Sequence, residues 1–478
     1  MCAVQTNCVD EYLQTMIQEQ LRCTSLCMKS SFFIFFVLTS VLFLGYSGFL
    51  YEQNVSPFSL LMKWRHNVSI VHEKYYNDTS YNDTKYAIQI MTKNDSSNVT
   101  QSLVCLGPSS LDKTRLRSEL KDMGFEPAED HEFKSQYIIT PKVCLPPSSV
   151  PDYVTKGNTR TKVISCFNCP AWFNDSKLNH HNRDFRSCEY SNCHFDVTGK
   201  FQSTADVLVF FVGYLGNTPV PSRPVGQIWV KAFWESPVHY TYPVPYNRWK
   251  NVFNWTFTYR TDSDIFAPST LLAWRHHSLL LTDAQYLELA RNKTKMAAWF
   301  VSNCDTPSQR EQYVQVLQKY IEVDIYGKCG NLSCPRSAGS DCESLLGKSY
   351  KFYISFENSL CLDYVTEKVF QRLATRSHVI PVVRGGFNYT KYLPSGWFVN
   401  AEDFPNAREL AVYLKGLGND PQKYAAMLKE KDKLVTLGYK NDYCDFCEKL
   451  HTDQRTKIIS DIKEWSHKAT CYSPIDVT

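Results

Sequence analysis

The segment Lys351–Lys368, KFYISFENSLCLDYVTEK, gathers more groups able to bind and polarise a ligand than any other stretch of the chain. An apolar, aromatic run (Phe352, Tyr353, Ile354, Phe356) stops at Glu357-Asn358-Ser359, and after a short loop Asp363-Tyr364-Val365-Thr366-Glu367-Lys368 opens a helix. A buried strand that feeds a polar loop and a helix N-terminus is where open α/β sheets hold ligands, outside the strand's carboxyl edge. The amide of Asn358, the phenol of Tyr364, the carboxylate of Glu367 and the ammonium of Lys368 suit a sugar nucleotide. They offer acceptors for hydroxyls and a cation for a diphosphate. The same spacing also fits a helix-capping loop, with Asp363 or Thr366 as cap and Glu367 in the first turn.

Three further constellations carry chemistry. Glu235 ends the apolar run Gln227–Trp234, and Pro237 two residues on keeps Ser236 out of a helix and forces a sharp exit. Among Phe233, Trp234, His239 and Tyr240 its carboxylate would be desolvated, which suits a general base for a hydroxyl; backbone amides at a turn would satisfy it equally well. Asp262-Ser263-Asp264 has the form of a carboxylate pair that holds Mn²⁺ against a diphosphate in single-domain transferases. It follows a different strand-like run, Phe253–Tyr259, and lies far in sequence from Lys368, so a structural or acceptor-side role fits it better than a metal. Cys444-Asp445-Phe446-Cys447 has redox or zinc spacing, but no second CxxC stands near enough to complete a zinc set.

The elements that must position these groups read as alternating strands and helices. Lys162–Phe167, Ala205–Val212 and Gln227–Trp234 are short apolar runs between turn residues, which predicts buried strands of a first α/β domain. A second series begins with the strand Ala297–Ser302. It continues with an amphipathic helix over Gln309–Ile321, strands at Val323–Gly327 and Phe352–Phe356, the helix from Thr366, and the strand Val379–Val383. That order predicts a parallel sheet with helices on both faces. Upstream, Leu111–Met123 fits a short helix that Cys105 and Cys144 would bridge around. There is no internal repeat, no P-loop and no GxGxxG.

The whole chain sets the compartment. At 478 residues it has room for two or three domains, and a net charge of +4 excludes nucleic-acid binding as its business. Residues 31–50 contain no charge and match one bilayer; Arg22 and Lys29 precede them, which predicts an uncleaved type II signal-anchor with residues 1–30 cytosolic. Eleven N-x-S/T triplets begin at Asn54, Asn67, Asn77, Asn82, Asn94, Asn98, Asn174, Asn254, Asn292, Asn331 and Asn388. Six of them crowd into residues 54–100, as in a glycan-coated stalk, so residues 51–158 read as stem and linker. Of 18 cysteines, Cys2, Cys8, Cys23 and Cys27 fall on the cytosolic side, which leaves an even fourteen for disulfides in an oxidising lumen.

The segment FENS followed by DYVTEK resembles the donor-site signature of the α1,3-fucosyltransferases, glycosyltransferase family 10. Glu235-Ser236-Pro237, the run Tyr259–Phe266 and Val379–Gly385 extend the resemblance in the same order, over roughly residues 162–449. The resemblance implies a GT-B fold: two Rossmann-like domains facing a cleft, residues 159–290 on the acceptor side and 291–478 binding GDP-fucose. It implies Glu235 as catalytic base and Lys368 and Arg310 as cations against the departing GDP. Glu367, Tyr364 and Asn358 would be nucleotide and donor contacts. It implies bridges from Cys444 and Cys447 back to Cys188 and Cys193. No metal is required, although Mn²⁺ or Mg²⁺ can screen the leaving diphosphate. The expected activity is inverting transfer of fucose to the 3-hydroxyl of an N-acetylglucosamine in a glycoprotein glycan, core or antenna, by a Golgi membrane enzyme. Rival readings are another nucleotide-sugar donor and a non-catalytic type II lectin or receptor. The loop 375–378 departs from the family in lacking its usual glycine.

Overall fold

In the computed structural model the described residues are 68–71, 89–92, 104–145, 160–170, 173, 185, 188–334, 339–374, 378–437, 442–453, 457–468 and 470–477. The expected tail, membrane anchor and most of the stem lie outside them, with the sequons at Asn54, Asn67, Asn77, Asn82, Asn94, Asn98 and Asn174. Among the described residues no helix is long and apolar enough to cross a membrane. The chain divides into two compact units, residues 1–72 with 88–99, and residues 73–87 with 100–478. In the first, β1 (Val68–Val71) and β2 (Gln89–Thr92) pair antiparallel, Ser69 opposite Met91. All that follows concerns the second.

The second unit starts earlier than the sequence suggests, because residues 104–145 are folded onto the body rather than being stem. Strands β3 (Val104–Leu106) and β5 (Val143–Leu145) pair antiparallel, with Cys105 opposite Cys144 in a disulfide. Between them runs α1 (Lys113–Asp122), capped by Asp112, whose carboxylate accepts the N–H of Thr114 and Arg115 at 3.0 Å each. Helix α1 buries Leu116 and Leu120 and leads into β4 (Phe125–Glu126). Tyr137, fully buried, packs its ring among Phe266, Phe370, Phe387 and Tyr392, which ties this segment to the core.

The first large sheet holds β6 (Lys162–Cys166), β7 (Cys193–Asp196), β8 (Val207–Phe211), β9 (Ile228–Phe233), β10 (Trp255–Thr258) and β11 (Ile265–Phe266). Its order is β11-β10-β9-β8-β6-β7, with every pairing parallel. Strand β8, VLVFF, is buried at every position, as a strand covered on both faces must be. Its crossovers from β7 to β11 run through 3₁₀ turns and loops, while most of the β6–β7 connection lies outside the described residues.

The chain next lays down β12 (Leu272–Arg275) and α2 (Asp283–Asn292), then β13 (Lys295–Phe300), α3 (Arg310–Leu317), β14 (Val323–Tyr326), α4 (Gly339–Ser349) and β15 (Tyr350–Phe356). There follow α5 (Glu367–Ala374), β16 (Ile380–Arg384), α6 (Tyr389–Tyr392), β17 (Val399–Asn400), α7 (Ala407–Gly418), α8 (Pro421–Asp432) and β18 (Leu434–Thr436). The second large sheet, β14-β13-β15-β16-β17, is parallel throughout, as the βαβ order requires. A small antiparallel sheet, β18-β12-β4, joins three distant parts of the chain.

The end of the chain returns to the first sheet. Helix α9 (Asp442–Thr452) packs Tyr443, Phe446 and Leu450 against Ile164, Phe195, Val209 and Phe257, and α10 (Ile462–His467) sets Ile462 against Trp229 and Phe253. Residues 442–467 therefore belong spatially with the first sheet, and a boundary at 290 describes only the order of the chain.

Candidate active site

Strand β15 ends at Phe356, and its continuation is buried deeper than a ligand-binding loop usually is. Glu357 has no exposed surface. Its Oε1 accepts the Thr366 N–H at 2.8 Å and the Thr366 hydroxyl at 2.9 Å, and Oε2 lies 3.1 Å from Lys368 Nζ. Glu357 thereby fixes the first turn of α5 and, through it, Lys368. The Lys368 ammonium also donates to Thr366 Oγ1 at 2.7 Å and to Glu367 Oε1 at 3.4 Å. Burial pulls the Lys368 pKa down, but Glu357 and Glu367 together outweigh it and raise the value above that of an ordinary lysine. Burial also pushes the Glu357 carboxyl up, beyond what Lys368 can offset. Glu367 goes the other way: its burial is outweighed by Lys368, and its pKa falls.

The first sheet meets this loop directly. Tyr364, 1% exposed, donates its hydroxyl to Glu235 Oε2 at 2.7 Å, and Ser236 and Ser359 share a hydroxyl hydrogen bond at 2.7 Å. Burial, reinforced by the Glu235 charge, holds the Tyr364 phenol well above its usual range and keeps it a donor. Glu235 itself is exposed, so the apolar enclosure expected from Phe233, Trp234, His239 and Tyr240 is absent. Strand β9 aims it to the rim because Phe233 turns inward while the chain exits through Ser236-Pro237 into a 3₁₀ turn.

A second clasp lies beside the first. Asp363 adopts φ 59°, a left-handed conformation that Asp tolerates better than most residues. Its carboxylate accepts from Thr261 N at 3.0 Å and Thr261 Oγ1 at 2.6 Å. Gly386 must be glycine here, since a Cβ would come within 2.4–2.6 Å of the Cys361 backbone. Cys361 is bonded to Cys471, which brings the C-terminal tail onto the same loop. The sequence did not single out Thr261, and it marked Asp363 only as a candidate helix cap and Glu357 only as part of the signature loop. The left-handed turn has no sequence signature, and their partners stand far away in the chain.

Arg310 opens α3 but is 4% exposed: Nη1 donates to the Phe356 carbonyl at 2.8 Å and Nη2 to the Asn303 carbonyl at 3.2 Å, while the buried Nε has no partner among the described residues. Arg310 braces the root of the signature loop. Its positive field still reaches Lys368. Asn358 is half-buried; its Oδ1 accepts from Ser359 at 3.2 Å and its carbonyl from Ser308 N at 3.1 Å. Beyond Glu357, a polar cavity of about 260 Å³ opens at the carboxyl edge of β16 and β17, lined by Gly385, Tyr389, Glu402 and Tyr472 among others.

The Asp262-Ser263-Asp264 carboxylates are engaged within the protein. Asp262 holds Arg260 in a two-pronged pair at 2.9 and 2.6 Å, and Asp264 accepts from Thr256 N at 2.9 Å and from Lys457 at 2.8 Å. The fourteen cysteines from Cys105 on form seven disulfides. Cys188–Cys444 and Cys193–Cys447 pin α9 to the first sheet. Of the described sequons, Asn292, Asn331 and Asn388 are exposed. Asn254 is 8% exposed, with Oδ1 accepting from Trp229 N at 2.9 Å and Nδ2 donating to the Lys457 carbonyl at 2.7 Å.

Comparison with known proteins gives the family. Residues 290–465 match the model described as glycosyltransferase family 10 (fucosyltransferase), C-terminal, and residues 160–270 match the fucosyltransferase N-terminal model. The α-(1,3)-fucosyltransferase C of Drosophila melanogaster is 36% identical over 307 residues, 59% of this chain and 71% of that protein. Glycoprotein 3-α-L-fucosyltransferase A of the same organism is 36% identical over 290 residues, 58% of this chain and 55% of its own length. The human 3-galactosyl-N-acetylglucosaminide 4-α-L-fucosyltransferase is 34% identical over 289 residues, 58% of this chain and 75% of its own. A crystal structure of an α1,3-fucosyltransferase with GDP-fucose aligns with 62% of this chain and 92% of its own, at 18% identity and TM-score 0.40. Both halves of the site thus fall inside matched family regions, and the chain belongs to glycosyltransferase family 10, a family of fucosyltransferase enzymes.

Proposed function

We propose that the chain is a GDP-fucose-dependent α1,3-fucosyltransferase of GT-B type, placing fucose on the 3-hydroxyl of an N-acetylglucosamine in a glycoprotein glycan, core or antenna. One observation carries the reading. Glu235, at the edge of the first sheet, and the Tyr364–Lys368 run, at the edge of the second, meet across the 2.7 Å hydrogen bond from Tyr364. A proton acceptor on one side and a cation for pyrophosphate on the other are what such a transfer needs. Glu235 takes the proton of the acceptor hydroxyl, and that oxygen bonds to C1 of fucose. The C1–O bond to the diphosphate breaks, and GDP leaves with the electron pair. Attack on the face opposite the leaving group turns the β-linked donor into an α product. Lys368 stabilises the charge on GDP, with Arg310 adding its field from beneath the loop. Glu367 and Asn358 hold the donor, and no step calls for a metal, although Mn²⁺ or Mg²⁺ can screen the diphosphate. The uncharged run 31–50, the sequons and the seven disulfides support a Golgi membrane enzyme of type II topology with its catalytic part in the lumen.

The test is incubation of the full chain with GDP-fucose and a panel of defined glycans, with product mass and GDP release as readouts. Transfer to a 3-hydroxyl is expected, abolished in Glu235→Ala and in Lys368→Ala without loss of the folding transition. Wild-type turnover in either variant would overturn the assigned roles, and a panel of nucleotide sugars separates fucose from any other donor.

A further inference from the structure

Away from the site, at the edge of the small β18-β12-β4 sheet, three side chains bring metal-ligating atoms to within 4.8 Å of one another: Glu126, His276 and His277. The backbone register puts them there. Glu126 pairs across the sheet with Trp274, His276 N donates to the Gly124 carbonyl at 2.8 Å, and His277 N donates to Glu126 Oε1 at 2.8 Å. His277 Nδ1 lies 2.8 Å from the same oxygen. A fourth group faces the other carboxylate oxygen: His131 Nε2 is 3.0 Å from Glu126 Oε2. That nitrogen is shielded from solvent without an aligned hydrogen-bond partner, and its ring is held by stacking on Trp274, centroids 4.0 Å apart.

We propose that Glu126, His276 and His277 form a zinc site where β4 meets the end of β12. Imidazole nitrogens with one carboxylate are a borderline donor set that suits zinc; calcium and magnesium want oxygen ligands throughout. Strand β4 holds the backbone of Glu126, and the 3₁₀ turn His277–Leu279, capped by His276, holds the two histidines beside it. A zinc ion held there would bridge the Glu126 carboxylate and the two imidazoles. It would clamp β4, and so the segment that carries α1, onto the end of β12. This site stands independently of the fucosyl-transfer reading.

The experiment uses the full chain, stripped with chelator and titrated with ZnCl₂ alone, with bound metal measured by mass spectrometry and thermal unfolding followed in parallel. One zinc per chain is expected, with a higher melting temperature in zinc than in chelator. His276→Ala/His277→Ala should bind zinc roughly tenfold or more weakly and lose the zinc-dependent rise in melting temperature. Failure to retain stoichiometric zinc would overturn the proposal, leaving a carboxylate–histidine hydrogen-bond cluster. Equal retention by the double variant would overturn it as well, by placing the metal elsewhere. Should the double variant not fold, His277→Gln, at a side chain 79% exposed, makes the same comparison.

Discussion

A carboxylate that takes a proton works best with one oxygen held and the other free, and Tyr364 gives Glu235 that asymmetry. The phenol is buried and committed, while the carboxylate it grips is exposed. A hydrogen bond to a charged group contributes about 1.5–3 kcal/mol, enough to select one rotamer of an exposed side chain. Tyr364→Phe removes the donor and little else. The expected outcome is a kcat lower by roughly tenfold or more with the GDP-fucose KM nearly unchanged, read by steady-state kinetics. A raised donor KM with unchanged kcat would instead return Tyr364 to the nucleotide-binding role that the family resemblance gave it. The residue types at this site were legible in the sequence. Their pairing was not, because Glu235 and Tyr364 stand 129 positions apart and no local pattern links them. Arg310 teaches the converse: its place at the start of a helix was readable, but its burial against two carbonyls depends on where β15 ends.

At the scale of elements, β9 carries an anomaly of its own. Lys231 is 3% exposed beneath the Trp465 ring, its ammonium 4.6 Å from the ring centroid. Burial, with help from Arg260, lowers its pKa from 10.5 to about 7, against a small opposing pull from Asp262. Between those values the unfolded chain binds a proton that the folded chain does not. Stability therefore rises with pH from about 7 toward 10.5, and below about 7 the full cost of burying the charge is present. Lys231→Met should raise neutral-pH stability by about 1–4 kcal/mol and abolish that rise, measured as melting temperature against pH for both proteins. An identical pH dependence in the two would dismiss the idea. The apolar runs located β6, β8, β9, β10, β13, β14, β15 and β16, since parallel strands covered on both faces read as continuous hydrophobic stretches. Strands of two residues, such as β11 and β17, have no periodicity to read. Helices α7 and α8 did carry signals, in the caps Asn406 and Asp420 and in Pro421 at a first helical position.

Over the whole molecule, the C-terminal tail ties the two sheets together. Ile459 bridges to Phe253, α10 packs on the first sheet, Cys471 is bonded to the signature loop, and Asp476 pairs with Arg384 at the end of β16. Arg384 has no exposed surface; it also donates to the Ser308 carbonyl at 2.8 Å, and its own carbonyl accepts the Glu357 N–H at 3.0 Å. Asp476→Ala leaves that guanidinium buried without its ion partner, a change that costs roughly 3 kcal/mol. A lower denaturant midpoint and impaired transfer are expected together, although residue 476 touches no group assigned to the reaction; an unchanged midpoint would show that Arg384 is satisfied by backbone alone. The chain's order by itself determined two parallel sheets, a strand-loop-helix signature and the family, because apolar periodicity, turn residues and motifs act within a dozen positions. Only the tertiary structure decided that residues 104–145 are body, that the C-terminal tail returns to the first sheet, how Cys166, Cys169, Cys304, Cys329, Cys334, Cys342, Cys361 and Cys471 pair, and which acid meets which phenol. Those outcomes depend on how two sheets and a strap pack against one another, and packing over more than a hundred residues of separation leaves no trace in any local pattern.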